Sequence, residues 1–281
     1  MGNFSIKLND EQINKIKKTF KDDIKANPNE YIDTFISKDD LTISIYKSKK
    51  VVFQGKDALF YGSSFLETKF VRQAGSDEVG TGDYFGPVVV VASIVEQEDM
   101  ELINKYHIND SKQMNDEDIL KYGEEIRSKI KHSLLILEPA QYNKVHETNN
   151  LNMIKAKMHN QAYLNLLNKG YKIPSAAYVD QFCDKNLYFK YLVNEKEVYH
   201  DLIFETKAES KYPAVAVSSV IARYVFLKKM AEMESKYQMS FKKGAGMDVD
   251  LCAQAFVKKY TKMKLSDVAK LHFKNTTNIS D

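Results

Sequence analysis

Five consecutive apolar residues at positions 88–92 (Val-Val-Val-Val-Ala) are the feature of this sequence that most restricts its fold. A strand with one face in water alternates apolar and polar side chains, so a run without alternation predicts a strand covered on both faces. Strand and helix patterns alternate around it, which predicts an α/β fold with a mixed central sheet flanked by helices. The predicted strands are 70–74, 87–95 and 176–179, and the predicted helices are 115–130, 152–168, 213–232, 248–260 and 265–271.

The first 65 residues follow a different pattern. Apolar residues at helical spacing predict an amphipathic helix over 10–25. Alternation over 41–46, a turn at Lys47-Ser48-Lys49 and a second apolar stretch predict a β-hairpin over 41–54. A chain of 281 residues has room for about two domains. We therefore expect a small α+β domain at 1–65 and the α/β domain at 66–281.

Composition excludes several classes of protein. The longest apolar run is far shorter than the roughly 20 residues that cross a bilayer, so we expect no membrane partner. Two cysteines, Cys183 and Cys252, are too few for a disulfide framework and indicate a reducing compartment. These features predict a cytoplasmic globular protein, and we expect a monomer with no obligate protein partner. The 41 basic residues include only three arginines, which suits contact with a polyanion backbone without deciding the function.

The segment Gly75-Ser-Asp-Glu-Val-Gly-Thr-Gly-Asp-Tyr-Phe-Gly86 carries the chemistry. Its glycines resemble a phosphate-binding loop, but Thr81 stands where a P-loop has lysine, which argues against a nucleotide-hydrolysing P-loop protein. Asp77 and Glu78 would repel a bare phosphate. Carboxylates beside a phosphate make physical sense when a divalent cation lies between them, so the segment predicts a metal-assisted phosphate site.

Two further acids stand at comparable places in the chain. Asp180 directly follows the predicted strand at 176–179, and Glu209 precedes the long predicted helix at 213–232. A single acid at such a place is often only a helix cap or a surface residue, but four acids at four such places predict one site. The six histidines have no metal-ligand spacing, so we expect them to be structural rather than metal ligands.

At these residues the sequence resembles the ribonuclease HIII family, a type 2 ribonuclease H family. The resemblance covers roughly 70–275, and the 75–87 segment is its most specific part. It implies a ribonuclease H-like catalytic domain, preceded by a TBP-like substrate-binding domain, and an endonuclease that cuts the RNA strand of RNA–DNA hybrids. The other matching segments are Asp110-Ser-Lys112, Asn150-Leu-Asn152, His159-Asn-Gln-Ala162, Val179-Asp-Gln-Phe182, Thr206-Lys-Ala-Glu-Ser210, Ser218-Ser-Val-Ile-Ala-Arg-Tyr224 and Ala269-Lys-Leu-His-Phe273.

The resemblance also implies the roles of the four acids. Asp77, Glu78, Asp180 and Glu209 match the family's catalytic quartet, which implies two Mg²⁺ or Mn²⁺ ions, with Asp77 between them, and products with 5′-phosphate and 3′-hydroxyl ends. One difficulty is that neighbouring residues of a strand face opposite sides. We therefore expect Asp77 and Glu78 to converge only if the strand ends there.

The related ribonuclease HII enzymes differ in the same loop, where they have Gly-Arg-Gly. This chain has Gly80, Thr81 and Gly82, and we predict that their backbone amides contact ribose 2′-hydroxyls. A run of ribonucleotides is then required for cleavage. Two alternatives stay open: an enzyme that, like ribonuclease HII, cuts at single embedded ribonucleotides, and a hybrid-binding protein without catalysis.

Other residues are candidates for gripping the substrate. Ser111 and Lys112 are predicted to contact phosphate. Lys207 and Arg223 are weaker candidates, because either could instead neutralise the charge of buried carboxylates. Lysines of the first domain are candidates for non-specific binding to the duplex or for a solvated surface. Tyr84 and Phe85 are expected either to brace the acidic loop or to line the groove.

Overall fold

The computed structural model describes residues 2–65, 70–108 and 114–279. The chain divides into two compact units, residues 1–70 and 71–281. The boundary predicted after residue 65 falls close to this division. In the described ranges, no helix has the length and apolar character needed to span a membrane.

The first unit is a five-stranded antiparallel sheet with two helices. Its strand order is β1-β5-β4-β3-β2. The elements are β1 Gly2–Lys7, α1 Asp10–Thr19, β2 Ile24–Lys25, β3 Ile32–Lys38, β4 Leu41–Tyr46, β5 Lys50–Gly55 and α2 Ala58–Ser64. The predicted hairpin is confirmed, because β4 and β5 pair with Leu41 opposite Gly55.

The first helix is shorter than the predicted one. Asn9 caps α1, and Ile13, Ile16 and the following Phe20 are buried against the sheet. The helix ends before Phe20, and Ile24 starts strand β2, where it is 43% exposed. The prediction of a helix to residue 25 is therefore wrong, because Ile24 continues the apolar spacing without being part of the buried face.

The second unit is built on a mixed five-stranded sheet with the order β10-β9-β6-β7-β8. β6 runs antiparallel to β7 and parallel to β9. The strands are β6 Gln73–Val79, β7 Val88–Val95, β8 Lys131–Leu137, β9 Ala177–Asp180 and β10 Ile203–Glu205. The helices are α3 Met100–Lys105, α4 Asp116–Lys129, α5 Pro139–His146, α6 Leu151–Asn168, α7 Lys185–Tyr191, α8 Pro213–Tyr237 and α9 Met247–Tyr260.

Strand β7 is buried along its whole length, as its unbroken apolar run predicted. One face of the sheet packs against α6, where Val90 and Ala74 join Ala162 in the core. The other face packs against α8 so closely that a Cβ on Gly75 would lie 2.5 Å from the backbone of Val215. The direction in which a side chain leaves the sheet therefore decides which helix it meets.

The predicted helix at 265–271 is not formed. A 3-10 helix at Lys262–Asp267 precedes a stretch whose backbone pairs with the glycine-rich loop instead. Gly86 donates to the carbonyl of Val268, and Lys270 donates to the carbonyl of Tyr84. These contacts use the backbone groups that a continuing helix would need.

Candidate active site

The first two predicted acids lie inside a strand rather than at its end. β6 continues through Asp77 and Glu78 to Val79, and the two acids stand opposite Val91 and Val90 of β7. Their side chains therefore leave the sheet on opposite faces. The strand does not end at these acids, so the condition under which we expect them to converge is not met.

Asp77 faces α8. Ser219 of that helix favours the ionised form of Asp77, whose Oδ1 accepts a 2.9 Å hydrogen bond from the backbone N–H of Glu78. Asp77 is 9% exposed. Burial raises the pKa of Asp77 well above its usual value, and the negative charges of Glu78 and Asp180 raise this pKa further.

Asp180 is the last residue of β9 and shares a face of the sheet with Asp77. β6 and β9 run parallel with Ser76 opposite Val179, so the two acids directly follow this pair on neighbouring strands. Asp180 Oδ1 accepts a 2.9 Å hydrogen bond from the backbone N–H of Ala208. The strand pairing therefore brings together two carboxylates that are far apart in the sequence.

Glu209 completes an acidic cluster on the α8 side. It lies in the 3-10 helix Ala208–Ser210, just before α8, and is 5% exposed. Burial raises the pKa of Asp180, and the negative charge of the nearby Glu209 raises it further.

Glu78 faces α6, where two residues of that helix engage both of its carboxylate oxygens. Lys155 Nζ forms an ion pair with Oε1, and His159 Nε2 lies 2.9 Å from Oε2. Burial alone would raise the pKa of Glu78, but the hydrogen bonds and positive charges of His159 and Lys155 hold it below its usual value. Glu78 is thus a carboxylate kept ionised by its partners.

The charges of the four acids influence one another, but their side chains do not surround a single position. The charge of Glu78 raises the pKa of Asp77 and that of Asp180, although its side chain is on the other face. Over 2–65, 70–108 and 114–279, no three Asp, Glu, His or Cys side chains are arranged as a ready metal site. Any ion shared by all four acids would need a different position of the Glu78 carboxylate.

Lys155 and His159 were missed by the sequence reasoning. The sequence predicts no role for His159, because the histidines have no metal-ligand spacing. In the structure it is fully buried, and its Nδ1 lies 2.8 Å from Ser76 Oγ. The available signal was the spacing of four between the lysine and the histidine, which places both on one face of α6.

The glycine-rich loop after β6 uses its glycines in two ways. Gly80 has a positive φ of 94°, and a Cβ there would lie 2.1 Å from the carbonyl oxygen of Pro87. Gly82 has no positive φ, and a Cβ there would meet no described residue within 4 Å. Backbone geometry therefore requires glycine at Gly80, whereas neither the backbone conformation nor any described neighbour requires it at Gly82.

The other end of this loop is fixed from both sides. Tyr84 donates its backbone N–H to Gly244, whose own N–H donates to Asp83 Oδ1 at 2.6 Å. The buried Lys270 donates to the carbonyl of Gly86. Tyr84 and Phe85 are both fully buried, which confirms that they brace the loop and do not line a groove.

The structure gives a mixed picture of the predicted substrate contacts. Ser111 and Lys112 lie outside the described residues. Lys207 is exposed, stands two residues before Glu209 and has a left-handed backbone conformation, with φ 54°. Arg223 forms an ion pair with Asp116 and donates a hydrogen bond to the carbonyl of Met114, so its guanidinium already has partners within the protein.

Both units of the chain match known protein families. The family model described as Ribonuclease HII matches residues 74–276, and a domain of unknown function, DUF3378, matches 3–76. The chain is 37% identical to ribonuclease HIII of Streptococcus mutans over 294 aligned positions, covering 98% of this chain and 97% of the relative. It is 38% identical to ribonuclease HIII of Bacillus cereus over 261 positions, covering 84% of each.

Solved structures agree with these matches. Bst-RNase HIII in complex with Mn²⁺ superimposes with a TM-score of 0.71 at 30% identity, covering 99% of this chain and 97% of that chain. RNase H3 of Aquifex aeolicus gives 0.57 at 25% identity, with 96% and 100% covered. The predicted ribonuclease H-like α/β fold with a small preceding domain is confirmed. The chain belongs to the ribonuclease HIII family and is a ribonuclease H.

Proposed function

We propose that this enzyme hydrolyses the RNA strand of RNA–DNA hybrids endonucleolytically, with two divalent ions, and leaves 5′-phosphate and 3′-hydroxyl ends. The observation that carries the proposal is the placement of Asp77 and Asp180 on the same face of neighbouring parallel strands, with the buried Glu209 near enough for its charge to raise the pKa of Asp180. Carboxylate oxygens are the ligands that hard divalent cations prefer, so three carboxylates concentrated on one face of the sheet suit such ions.

The acids fit Mg²⁺ or Mn²⁺ by their chemistry. Burial and the surrounding negative charge raise the pKa of Asp77, which means that both disfavour its ionised form. A bound dication would stabilise that ionised form and so offset both effects. Asp77, Asp180 and Glu209 would hold the ions from the α8 side, and Glu78 would join from the other face. Bound there, the ions would activate the attacking water and stabilise the leaving oxygen.

The backbone supplies a place for the ribose. Gly82 has open space beside it, which supports close approach of a substrate sugar to this part of the loop. The left-handed turn at Gly80 and the contacts that hold Tyr84 and Gly86 fix the loop beside the acids. Contacts from the backbone amides of this loop to several 2′-hydroxyls would make a run of ribonucleotides necessary for cleavage.

The first unit is proposed to strengthen binding to the hybrid. Some of its lysines are engaged with acids of the same unit, since Lys17 lies 2.7 Å from Asp33 and Lys49 lies 2.6 Å from Asp10. Lys47 and Lys50 are exposed and stay candidates for phosphate contact. A monomeric state and a cytoplasmic location also stay predictions.

The test is digestion of an end-labelled RNA–DNA hybrid by the full-length protein, with Mg²⁺, with Mn²⁺ and with chelator. A DNA duplex and an RNA duplex of the same sequence serve as controls. We expect metal-dependent cuts in the RNA strand of the hybrid alone. Binding to the hybrid without cleavage in either metal would favour the non-catalytic alternative.

A further inference from the structure

We propose that Lys155 is a built-in counter-ion for Glu78, which a divalent cation must displace before that carboxylate can serve as a metal ligand. Lys155 would thereby set how much metal the enzyme needs. This inference rests on the proposed metal site, and it adds a positioning residue that acts through Glu78.

The contacts show a cation enclosed against the carboxylate. The ammonium of Lys155 pairs with Glu78 Oε1, and the side chains of the two residues are 10% and 11% exposed. The same ammonium lies 4.0 Å from the ring centroid of Phe182, in a cation–π contact. A lysine held by a carboxylate and an aromatic face at once is fixed in place rather than extended into solvent.

His159 holds the other oxygen of the same carboxylate. Because an ionised carboxylate only accepts hydrogen bonds, the proton in this contact belongs to Nε2 of His159. Its Nδ1 is hydrogen-bonded with Ser76, and its ring stacks on Phe182 with centroids 5.5 Å apart. Glu78 therefore has a defined position on the α6 side of the sheet, away from the three acids that face α8.

Charge explains why Lys155 would compete with a metal. The ammonium neutralises Glu78, and its positive charge repels any dication that approaches this carboxylate. Removing one member of a buried ion pair leaves the other without compensation, which destabilises the protein. Replacing Lys155 should therefore lower the stability of the metal-free protein and strengthen its attraction for a metal.

The test is calorimetric titration of full-length protein with Mn²⁺, using the Lys155→Met variant. We expect Met at this position to lower the Kd for Mn²⁺ about tenfold, which is about 1.4 kcal/mol, and to enlarge the rise in melting temperature on adding Mn²⁺. Lys155→Arg keeps the charge and should keep the wild-type Kd. Lys157→Met is the matched control, because Lys157 lies on the same helix but pairs with Glu195 at 3.1 Å.

An unchanged or weaker affinity in the Lys155→Met variant would overturn the proposal, since a lysine that merely supports Glu78 as a ligand would weaken binding when lost. If that variant does not fold, displacement of Lys155 by a metal can be measured in the wild-type protein. Acylation of Lys155, measured by peptide mass spectrometry relative to Lys157, should increase several-fold in saturating Mg²⁺. Equal acylation with and without Mg²⁺ would contradict displacement.

The Asp77→Asn variant separates this inference from the proposed function. If it loses Mn²⁺ binding while Lys155→Met leaves the affinity unchanged, the metal site stands and the role of Lys155 falls. If Asp77→Asn binds Mn²⁺ as the wild type does, the proposed metal site itself is wrong.

Discussion

Alanine at Gly82 and at Gly80 should have opposite effects on stability, although the two glycines are two positions apart. At Gly80 the left-handed backbone costs an ordinary residue about 1–2 kcal/mol, and the new Cβ would lie 2.1 Å from the carbonyl oxygen of Pro87. We expect Gly80→Ala to lose at least about 2 kcal/mol, or roughly 5 °C in melting temperature for a domain of this size.

Gly82→Ala meets neither obstacle. A Cβ there has no neighbour within 4 Å among the residues that the structure describes, and φ is not positive. The reduced freedom of the unfolded chain should therefore stabilise the protein by about 0.4–1 kcal/mol. If the open space receives a ribose, the methyl group should displace it and lower kcat/KM on the hybrid at least about tenfold.

The assay combines thermal unfolding with cleavage of a labelled hybrid for both variants. The pattern that supports the account is a Gly82→Ala protein that is stable but slow. A stable Gly82→Ala protein with wild-type kcat/KM would refute the reasoning that this part of the loop contacts the substrate.

Three further predictions follow from other parts of the structure. A duplex with one embedded ribonucleotide should be cut much more slowly than one with a run of ribonucleotides, and equal rates in a matched digestion would favour the ribonuclease HII-like alternative. Deleting residues 1–65 should weaken hybrid binding most at low salt while leaving slow metal-dependent cleavage, and binding that is unchanged across a salt titration would remove that role from the first unit. Burial lowers the pKa of Lys270 to about 7 in the folded protein. Between pH 7 and about 10 the unfolded chain therefore binds more protons than the folded protein does. The free energy of unfolding should rise by about 2 kcal/mol from pH 7 to pH 9. Denaturant unfolding at both pH values, with Lys270→Met as the comparison, checks this, and an equal rise in the variant would contradict it.

The sequence was informative where one local pattern determines structure. The unbroken apolar run of β7 and the alternation of the β4–β5 hairpin depend on which faces are buried, and the structure has both. The β6 strand was misjudged because Gly, Ser, Asp and Glu disfavour strands by propensity, whereas pairing with β7 extends β6 to Val79.

The site was predictable as a set of acids but not as a geometry. The proximity of Asp77 and Asp180 depends on the parallel pairing of β6 with β9, and no local pattern reports that register. The separation of Glu78 from the other acids follows from side-chain alternation once the strand is known to continue. Its partners Lys155 and His159 could be found only by asking which helix covers that face.

The central claim is that a cluster of carboxylates binds the ions that cleave the RNA strand, and Asp77→Asn tests it most directly. Cleavage of a labelled hybrid by this variant is measured across a Mn²⁺ titration, alongside hybrid binding and thermal unfolding. Since burial and neighbouring charge already disfavour the ionised Asp77, the account predicts a folded variant of undiminished stability that binds the hybrid but does not cut it at any metal concentration. Cleavage at the wild-type rate would contradict the claim.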